Sequence, residues 1–329
     1  MKKTVFTLGC AAMLALSSCG GAKAGSQAAD TETADSAVSK VYLIKDITPE
    51  NLVRIYEALG KKADGANVAV KISTGESAKS NQLDTALIKP LVQLVNGTIV
   101  ECNTAYEGNR NTTEKHLKTA ADHGYTAIAK VDIMDADGDT LLPVSNGRHL
   151  EHDIVGRHYT DYDFTVVLSH FKGHAMGGFG GALKNISIGI ASSDGKAYIH
   201  SAGKCSDAAE IWKNIAEQDD FLESMGEACQ AVINHAGGNI LYINVANNLS
   251  VDCDCDGDPD APQMGDIGIL ASLDPVALDR ACVDLVFNSD DPGKEHLIER
   301  INSRHGTHLL DYSEQLGLGS QTYELITLE

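Results

Sequence analysis

Apolar positions along the chain switch between two spacings. In residues 49–62, Leu52, Ile55, Tyr56 and Leu59 recur three and four apart behind Thr48, a candidate cap, and predict a helix. Residues 67–73 (NVAVKIS) predict a strand, and residues 83–95 a helix that Pro90 should kink or break. The alternation continues with a strand at 98–103 and a helix at 112–123, which starts near Thr112 or Thr113 and stops at Gly124. A strand at 127–134 leads into DADGD (135–139), read as a hairpin turn, and a strong buried strand follows at 163–169. The second half predicts helices at 208–216 and 221–235, strands at 240–245 and 266–271, and a helix at 275–287 with Pro275 in its first turn. A helix at 295–305, ended by Gly306, and a final edge strand at 323–328 complete the set. Strands separated by helices imply βαβ units. The expected fold class is therefore α/β, with a mostly parallel mixed sheet between helical layers. No linker-like stretch or fixed-period repeat interrupts residues 41–329, so they are expected to form a single large domain.

The first residues break this pattern. Lys2 and Lys3 precede an apolar stretch at 5–16 that is too short to span a bilayer, and Leu16-Ser17-Ser18-Cys19 follows. That order resembles a bacterial lipobox. Residues 1–18 are expected to be a lipoprotein signal peptide and Cys19 the lipidated first residue. Residues 19–40 contain no aromatic residue and one large aliphatic, Val38, and are expected to be a flexible tether. The expectation is an exported, membrane-anchored lipoprotein whose partner is the lipid bilayer through Cys19. With no early acidic run after Cys19, it should face the periplasm.

Charge narrows the partners. The net charge is −20, and loss of Lys2 and Lys3 with the leader makes it more negative. This argues against nucleic acid or an anionic membrane face, and leaves small molecules, metal cations or cationic proteins. Of eight cysteines, Cys10 would leave with the leader and Cys19 would be lipidated. Only Cys253 and Cys255 have a spacing that suggests a joint role. A disulfide between them would close a very small ring, so two separate thiols are expected.

Two loops concentrate chemistry, both beyond the carboxyl ends of predicted strands, where ligands bind in open α/β sheets. The first, 169–189 (SHFKGHAMGGFGGALKNISIG), combines glycines with Lys172, Lys184 and Asn185. It can turn sharply and offers positive charge to an anion, but it lacks the Walker A spacing. His170 and His174 are four apart. The glycines disfavour a continuous helix, which leaves His174 as the stronger ligand candidate and a hydrogen-bonded structural histidine as the alternative. The second loop, 247–262 (NNLSVDCDCDGDPDAP), would place Cys253 and Cys255 on one side if extended, with Asp252, Asp254 and Asp256 opposite. Thiolates suit zinc or iron. The three aspartates open like a calcium loop, but Gln263 stands at the closing position and Pro259 within it, which argues against calcium. Two shorter loops add Lys71 with Glu76, and Arg110. Each could contact an anion; the alternatives are a surface ion pair for Lys71 with Glu76 and a helix-start arginine for Arg110.

Four stretches resemble the domain of unknown function 362 family, whose members are often labelled iron–sulfur-centre proteins. They are VKISTGE (70–76), the segment reaching Arg110, FKGHAMGGFGGALKNISIG (171–189), and DCDC with DIGILASLDPVALDRAC (252–255 and 266–282). The resemblance implies motif positions at Lys71, Glu76, Arg110, Lys172, His174, Lys184, Asn185, Cys253 and Cys255. Many relatives carry a C-x2-C-x2-C-x3-C run. This chain has no C-x2-C, which argues against an iron–sulfur cluster, as does the difficulty of loading one after export.

The resulting expectation is a zinc or iron site at His174, Cys253, Cys255 and Asp254, beside an anion site at Lys71, Glu76, Arg110, Lys172, Lys184 and Asn185. Such a site could serve redox or small-anion chemistry. The alternatives are a non-catalytic ligand-binding lipoprotein using the same pocket, and a structural role. Convergence of Cys253, Cys255 and His174 separates them.

Overall fold

The computed structural model describes residues 3–5 and 38–329; Cys19 and most of the expected leader and tether lie outside them. In chain order the first elements are β1 (Lys3–Val5), β2 (Ser39–Ile44), α1 (Pro49–Ala58), β3 (Val68–Lys71), α2 (Thr85–Leu94), β4 (Gly97–Glu101), α3 (Thr113–Asp122) and β5 (Val131–Ile133). They are followed by β6 (Asp139–Pro143), β7 (His152–Gly156), β8 (Phe164–His170), β9 (Lys172–His174), β10 (Gly178–Gly180), α4 (Ala182–Ile186) and α5 (Ser193–His200). The last are α6 (Gln218–Ala236), β11 (Ile240–Ala246), β12 (Gly268–Ser272), α7 (Pro275–Phe287), α8 (Lys294–Ser303), α9 (His308–Gln315) and β13 (Tyr323–Thr327).

The main sheet has the order β1-β13-β2-β12-β11-β8-β3-β4-β5. Strands β11, β8, β3, β4 and β5 run parallel, as do β13 and β2, while β12 is antiparallel to both its neighbours. The expected α/β class with a mostly parallel mixed sheet is therefore what forms. Both faces are covered, and the strands alternate accordingly. Leu241, Ile243 and Val245 pack with α1 and α2, while Ile240 and Tyr242 pack with α4, α6 and α7. Helix starts follow ordinary capping: Thr48, Asp84, Thr112 and Asp274 each accept a backbone N–H of the first turn.

Several local expectations are corrected. DADGD is a turn but not a hairpin, because β5 pairs with β4 and β6 pairs with β7. The strand expected at 127–134 shortens to β5, because Tyr125 is buried in a 3-10 turn with its hydroxyl on the Leu83 carbonyl at 2.7 Å. Residues 208–213 form a 3-10 helix instead of an α-helix, with only Ile211 buried. Helix α2 continues through Pro90, held by buried Leu87, Ile88, Leu91 and Val92. Strand β13 is second from the sheet edge, because Lys3–Val5 pairs outside it; a chain beginning at Cys19 would leave β13 as the edge.

The fold matters for function because β3, β4, β8 and β11 point the same way. Their carboxyl ends release the loops after Lys71, Glu101, His170 and Ala246 at one rim.

Candidate functional site

These loops enclose a cavity of about 530 Å³. Five cationic side chains line it, Lys71, Arg110, Lys172, Lys184 and Lys196, against two carboxylates, Glu101 and Asp254. The pocket is thus locally positive in a strongly acidic chain.

The cations differ in what holds them. Arg110, at the end of the β4 loop, is buried and fully engaged. Its Nε donates to Glu76 Oε2 at 3.0 Å, Nη1 to Glu101 Oε1 at 2.9 Å, and Nη2 to the Tyr106 hydroxyl at 3.3 Å. Glu101 also accepts from the Thr74 amide at 2.8 Å and from the Thr74 hydroxyl, and faces His116 Nε2 at 3.1 Å. Burial opposes ionisation of Glu101, but Arg110 and His116 hold its carboxyl well below the usual range. Glu76 belongs to this brace, outside the lining of the cavity.

Lys172, on β9, donates to the His170 carbonyl at 2.8 Å and to Asp254 Oδ2 at 2.9 Å. Asp254 Oδ1 faces His170 Nδ1 at 2.8 Å, and His170 Nε2 faces the Asn247 carbonyl at 2.6 Å. Burial works against the Asp254 charge, yet His170 and Lys172 keep its carboxyl far below the ordinary range. Lys71 donates to the Ile72 carbonyl at 2.6 Å and to Asn185 Oδ1 at 2.9 Å. Gly189 makes room for this ammonium: a Cβ there would lie 2.7 Å from Lys71 Nζ. Burial lowers Lys71 to about 8. Lys196, on α5, donates to the Ala191 carbonyl at 2.6 Å.

Lys184 is the exception. Among the described residues its ammonium makes no hydrogen bond or ion pair, although it sits in the cavity wall beside Gly180. Burial, with Lys172 and Lys71 nearby, lowers it to about 7.

At one end of the cavity the histidine and cysteine loops meet. His174 Nδ1 accepts the Met176 and Gly177 amides at 3.1 and 2.9 Å, which leaves Nε2 pointing at Cys255 Sγ, 3.8 Å away. Burial and the Lys184 and Lys172 charges push His174 well below its ordinary value. Ligand atoms of His174, Cys253 and Cys255 lie within 4.8 Å of one another, a group able to hold a metal ion. The cysteines themselves are joined as a disulfide, against the expectation of separate thiols. The loop is not extended there. It turns, with the Asp256 amide on the Cys253 carbonyl at 2.9 Å, and the Cα atoms come within 5.2 Å, inside ordinary disulfide reach. The same turn overturns the two-sided arrangement of the aspartates. Asp254 is buried between His170 and Lys172, while Asp252 pairs with Arg300 and Asp256 caps the following turn.

The rim therefore gathers Lys71, Lys172, Lys184, Asn185, His174, Cys253, Cys255 and Asp254 in one place. Arg110 also lines it but is spent on carboxylates. Lys196, Glu101 and His116 were missed. Lys196 sits on a helix with no sequence signal, and Glu101 and His116 are recognisable only through their shared contact with Arg110.

The sequence profile described as Domain of unknown function (DUF362) matches residues 68–284. A search of curated proteins found no match. Among solved structures, the lactate racemase apoprotein from Thermoanaerobacterium thermosaccharolyticum is similar at 17% identity and TM-score 0.38, over 62% of this chain and 50% of that one. A protein from Thermotoga maritima is similar at 13% identity and TM-score 0.40, over 81% and 58%. The chain thus spans half to three-fifths of the length of these structures. The profile match covers most of the chain, including every loop of the cavity rim, and the chain belongs to the DUF362 family.

Proposed function

We propose that the cavity binds a small anion and that the Cys253–Cys255 pair is a two-electron centre beside it. The observation that carries this reading is the unpaired Lys184 ammonium, set among Lys71, Lys172 and Lys196 in the same cavity as the sulfur pair. In the disulfide form the pair accepts two electrons and two protons from a reduced ligand or an external dithiol, giving two thiols. Closing the bond returns them. Cys255, the more exposed sulfur, is the one an incoming thiolate reaches. Its own thiolate would be favoured by the His174 Nε2–H and by nearby lysine charge. Anchoring through a lipidated Cys19 outside the cytoplasm fits a protein that works with a disulfide.

A second reading is a zinc- or iron-class ion on the reduced pair, favoured by the three donors within 4.8 Å. It fits less well. With Nδ1 accepting two amides, the neutral His174 ring carries its hydrogen on Nε2, the atom that would have to bind. Asp254 has both oxygens engaged and offers no fourth ligand. The lysines also favour an anion over a divalent cation.

The test is calorimetric titration with inorganic phosphate, sulfate and small carboxylates, on wild type and on Lys184→Met, Cys253→Ser and Cys255→Ser. Saturable binding of at least one anion, lost in Lys184→Met, together with opening of Cys253 and Cys255 at one common potential in a thiol-alkylation titration, is expected. If none of these anions binds saturably, or Lys184→Met binds as wild type does, the anion site fails. If the pair opens without effect on binding or turnover of the anion, its redox role fails.

A further inference from the structure

A second set of donors lies away from the cavity, where the first turns of α6 meet the start of α9 and the loop before β7. Asp219, Asp220 and Glu223 project from α6. His305 comes from the α8–α9 connection, His308 is the first residue of α9, and His149 lies in the segment before β7. Ligand atoms of Asp219, His305 and His308 lie within 4.8 Å of one another, and so do those of His149, Asp220 and Glu223. The contacts are in ligand-like order. His305 Nδ1 faces Asp219 Oδ1 at 2.7 Å, His308 Nε2 faces Glu223 Oε1 at 3.1 Å, and His149 Nε2 faces Glu223 Oε2 at 2.7 Å. Glu223 thus joins the two triads through its two oxygens.

We infer that Asp219, His305 and His308 form a binding site for a zinc-class divalent cation, with Glu223 as the carboxylate that orients His308. Three features carry this. The donor set is imidazole plus carboxylate, which suits zinc, nickel or copper and needs no thiol. A carboxylate behind a ligating histidine fixes its ring and tautomer, and Glu223 occupies that place. Charge also leaves room for a cation. Of the three α6 carboxylates, Glu223 contacts a guanidinium, Arg148 Nη1 at 2.8 Å from Oε2, and no Lys or Arg pairs with Asp219 or Asp220 among the described residues. Neighbouring Glu227 is separately satisfied by the amides of Arg148, His149 and Leu150 and by the Tyr312 hydroxyl. Asp219 and His305 are exposed, so the ion would keep an open position to solvent.

The site also touches the cavity machinery. Gln218, beside Asp219, donates to the Met176 carbonyl at 2.9 Å and to the Arg304 carbonyl, next to His305, at 2.8 Å. Gly306 packs against Gly177 and Gly178, with a Cβ there only 3.0 Å from the Gly177 carbonyl. A bound cation would therefore brace the turn whose amides fix His174.

The experiment is a cobalt(II) titration of the untagged full chain, read in the visible and near-ultraviolet. The variants are His308→Gln, His305→Asn and the double Cys253→Ser/Cys255→Ser. Asparagine is chosen at 305 because that residue holds φ 49°, a left-handed conformation asparagine tolerates. One equivalent binding with visible bands and no sulfur charge-transfer band is expected, equal in wild type and the cysteine variant. Each histidine variant should weaken it by about ten-fold or more. Binding unchanged in both histidine variants, or no binding, overturns the site. A charge-transfer band lost with the cysteines would instead report a metal at the sulfur pair, and unless a second, sulfur-free equivalent accompanied it, the site proposed here would fall.

Discussion

Two cationic groups line one cavity and have opposite character. Around Arg110 the donors toward Glu76, Glu101 and Tyr106 are matched, and Glu101 is matched in turn by Thr74 and His116. Around Lys184 no hydrogen bond is matched: the amine faces the cavity, where Lys172, Lys71 and Arg110 work against its charge and only Asp254 favours it. The first group is a closed network that ties the β3 loop to the β4 loop. The second is open, and it exchanges stability for the capacity to receive charge. Both are basic side chains in motif-bearing loops, and residue type alone does not tell them apart. Partner accounting does.

The contrast breaks most visibly under substitution. Arg110→Met strands two buried carboxylates and should cost about 3–5 kcal/mol in urea unfolding, enough to threaten folding. Lys184→Met removes a half-buried, unpartnered amine and should leave the unfolding midpoint unchanged or raised, while abolishing anion binding. If the two variants lost similar stability, the division into closed and open groups would be wrong.

The sequence displayed the open group better than the closed one. Lys172, Lys184, Asn185 and His174 lie within one glycine-rich loop after a strong strand, and the rule of strand carboxyl ends was enough to rank that loop. Cys253 and Cys255 announced themselves by spacing, but their covalent pairing did not, because it depends on a turn made by backbone hydrogen bonds that no periodicity records. Arg110 and Glu76 were found, but neither their pairing nor the other members of the network. Glu101 ends β4, His116 lies on α3 and Thr74 follows β3, and only strand order makes them neighbours. The same applies to the sheet. Strands in long apolar runs were legible, whereas β2, the β6–β7 hairpin and α9 lacked a strong period and were supplied by tertiary pairing.

A milder perturbation of the open group is pH. Lys184 and Lys71 are lowered to about 7 and about 8 by burial, so each is a cation below those values and neutral above them. Anion affinity should therefore fall as pH rises from 6 to 9, by about ten-fold for loss of one charge contact, which is about 1.4 kcal/mol. Stability should move the other way. Between the lowered folded values and the ordinary lysine value the unfolded chain holds more protons, so stability rises with pH across that interval. In Lys184→Arg, whose side chain stays charged across this range, the affinity profile should be flatter. A profile as steep as wild type would assign the titration to another group.

The smallest effect concerns an acid that belongs to neither group. Asp153, on β7, is completely buried, and neither carboxyl oxygen has a hydrogen-bond partner among the described residues. Burial raises it to about 8, so the folded protein holds this group protonated at neutral pH. The sign follows. Between the ordinary aspartate value and about 8 the folded state carries the extra proton, and this residue's contribution to stability falls as pH rises through that window. Asp153→Asn keeps the shape and removes the titration. It should raise unfolding free energy by about 1 kcal/mol at neutral pH, and by less near pH 5, where ionisation of this carboxyl in the unfolded chain pulls less strongly against folding. A gain independent of pH would mean that the carboxyl is ionised when folded and answers to a nearby cation. Lys196 would be the first candidate, and Asp153 would then join the charged surroundings of the cavity.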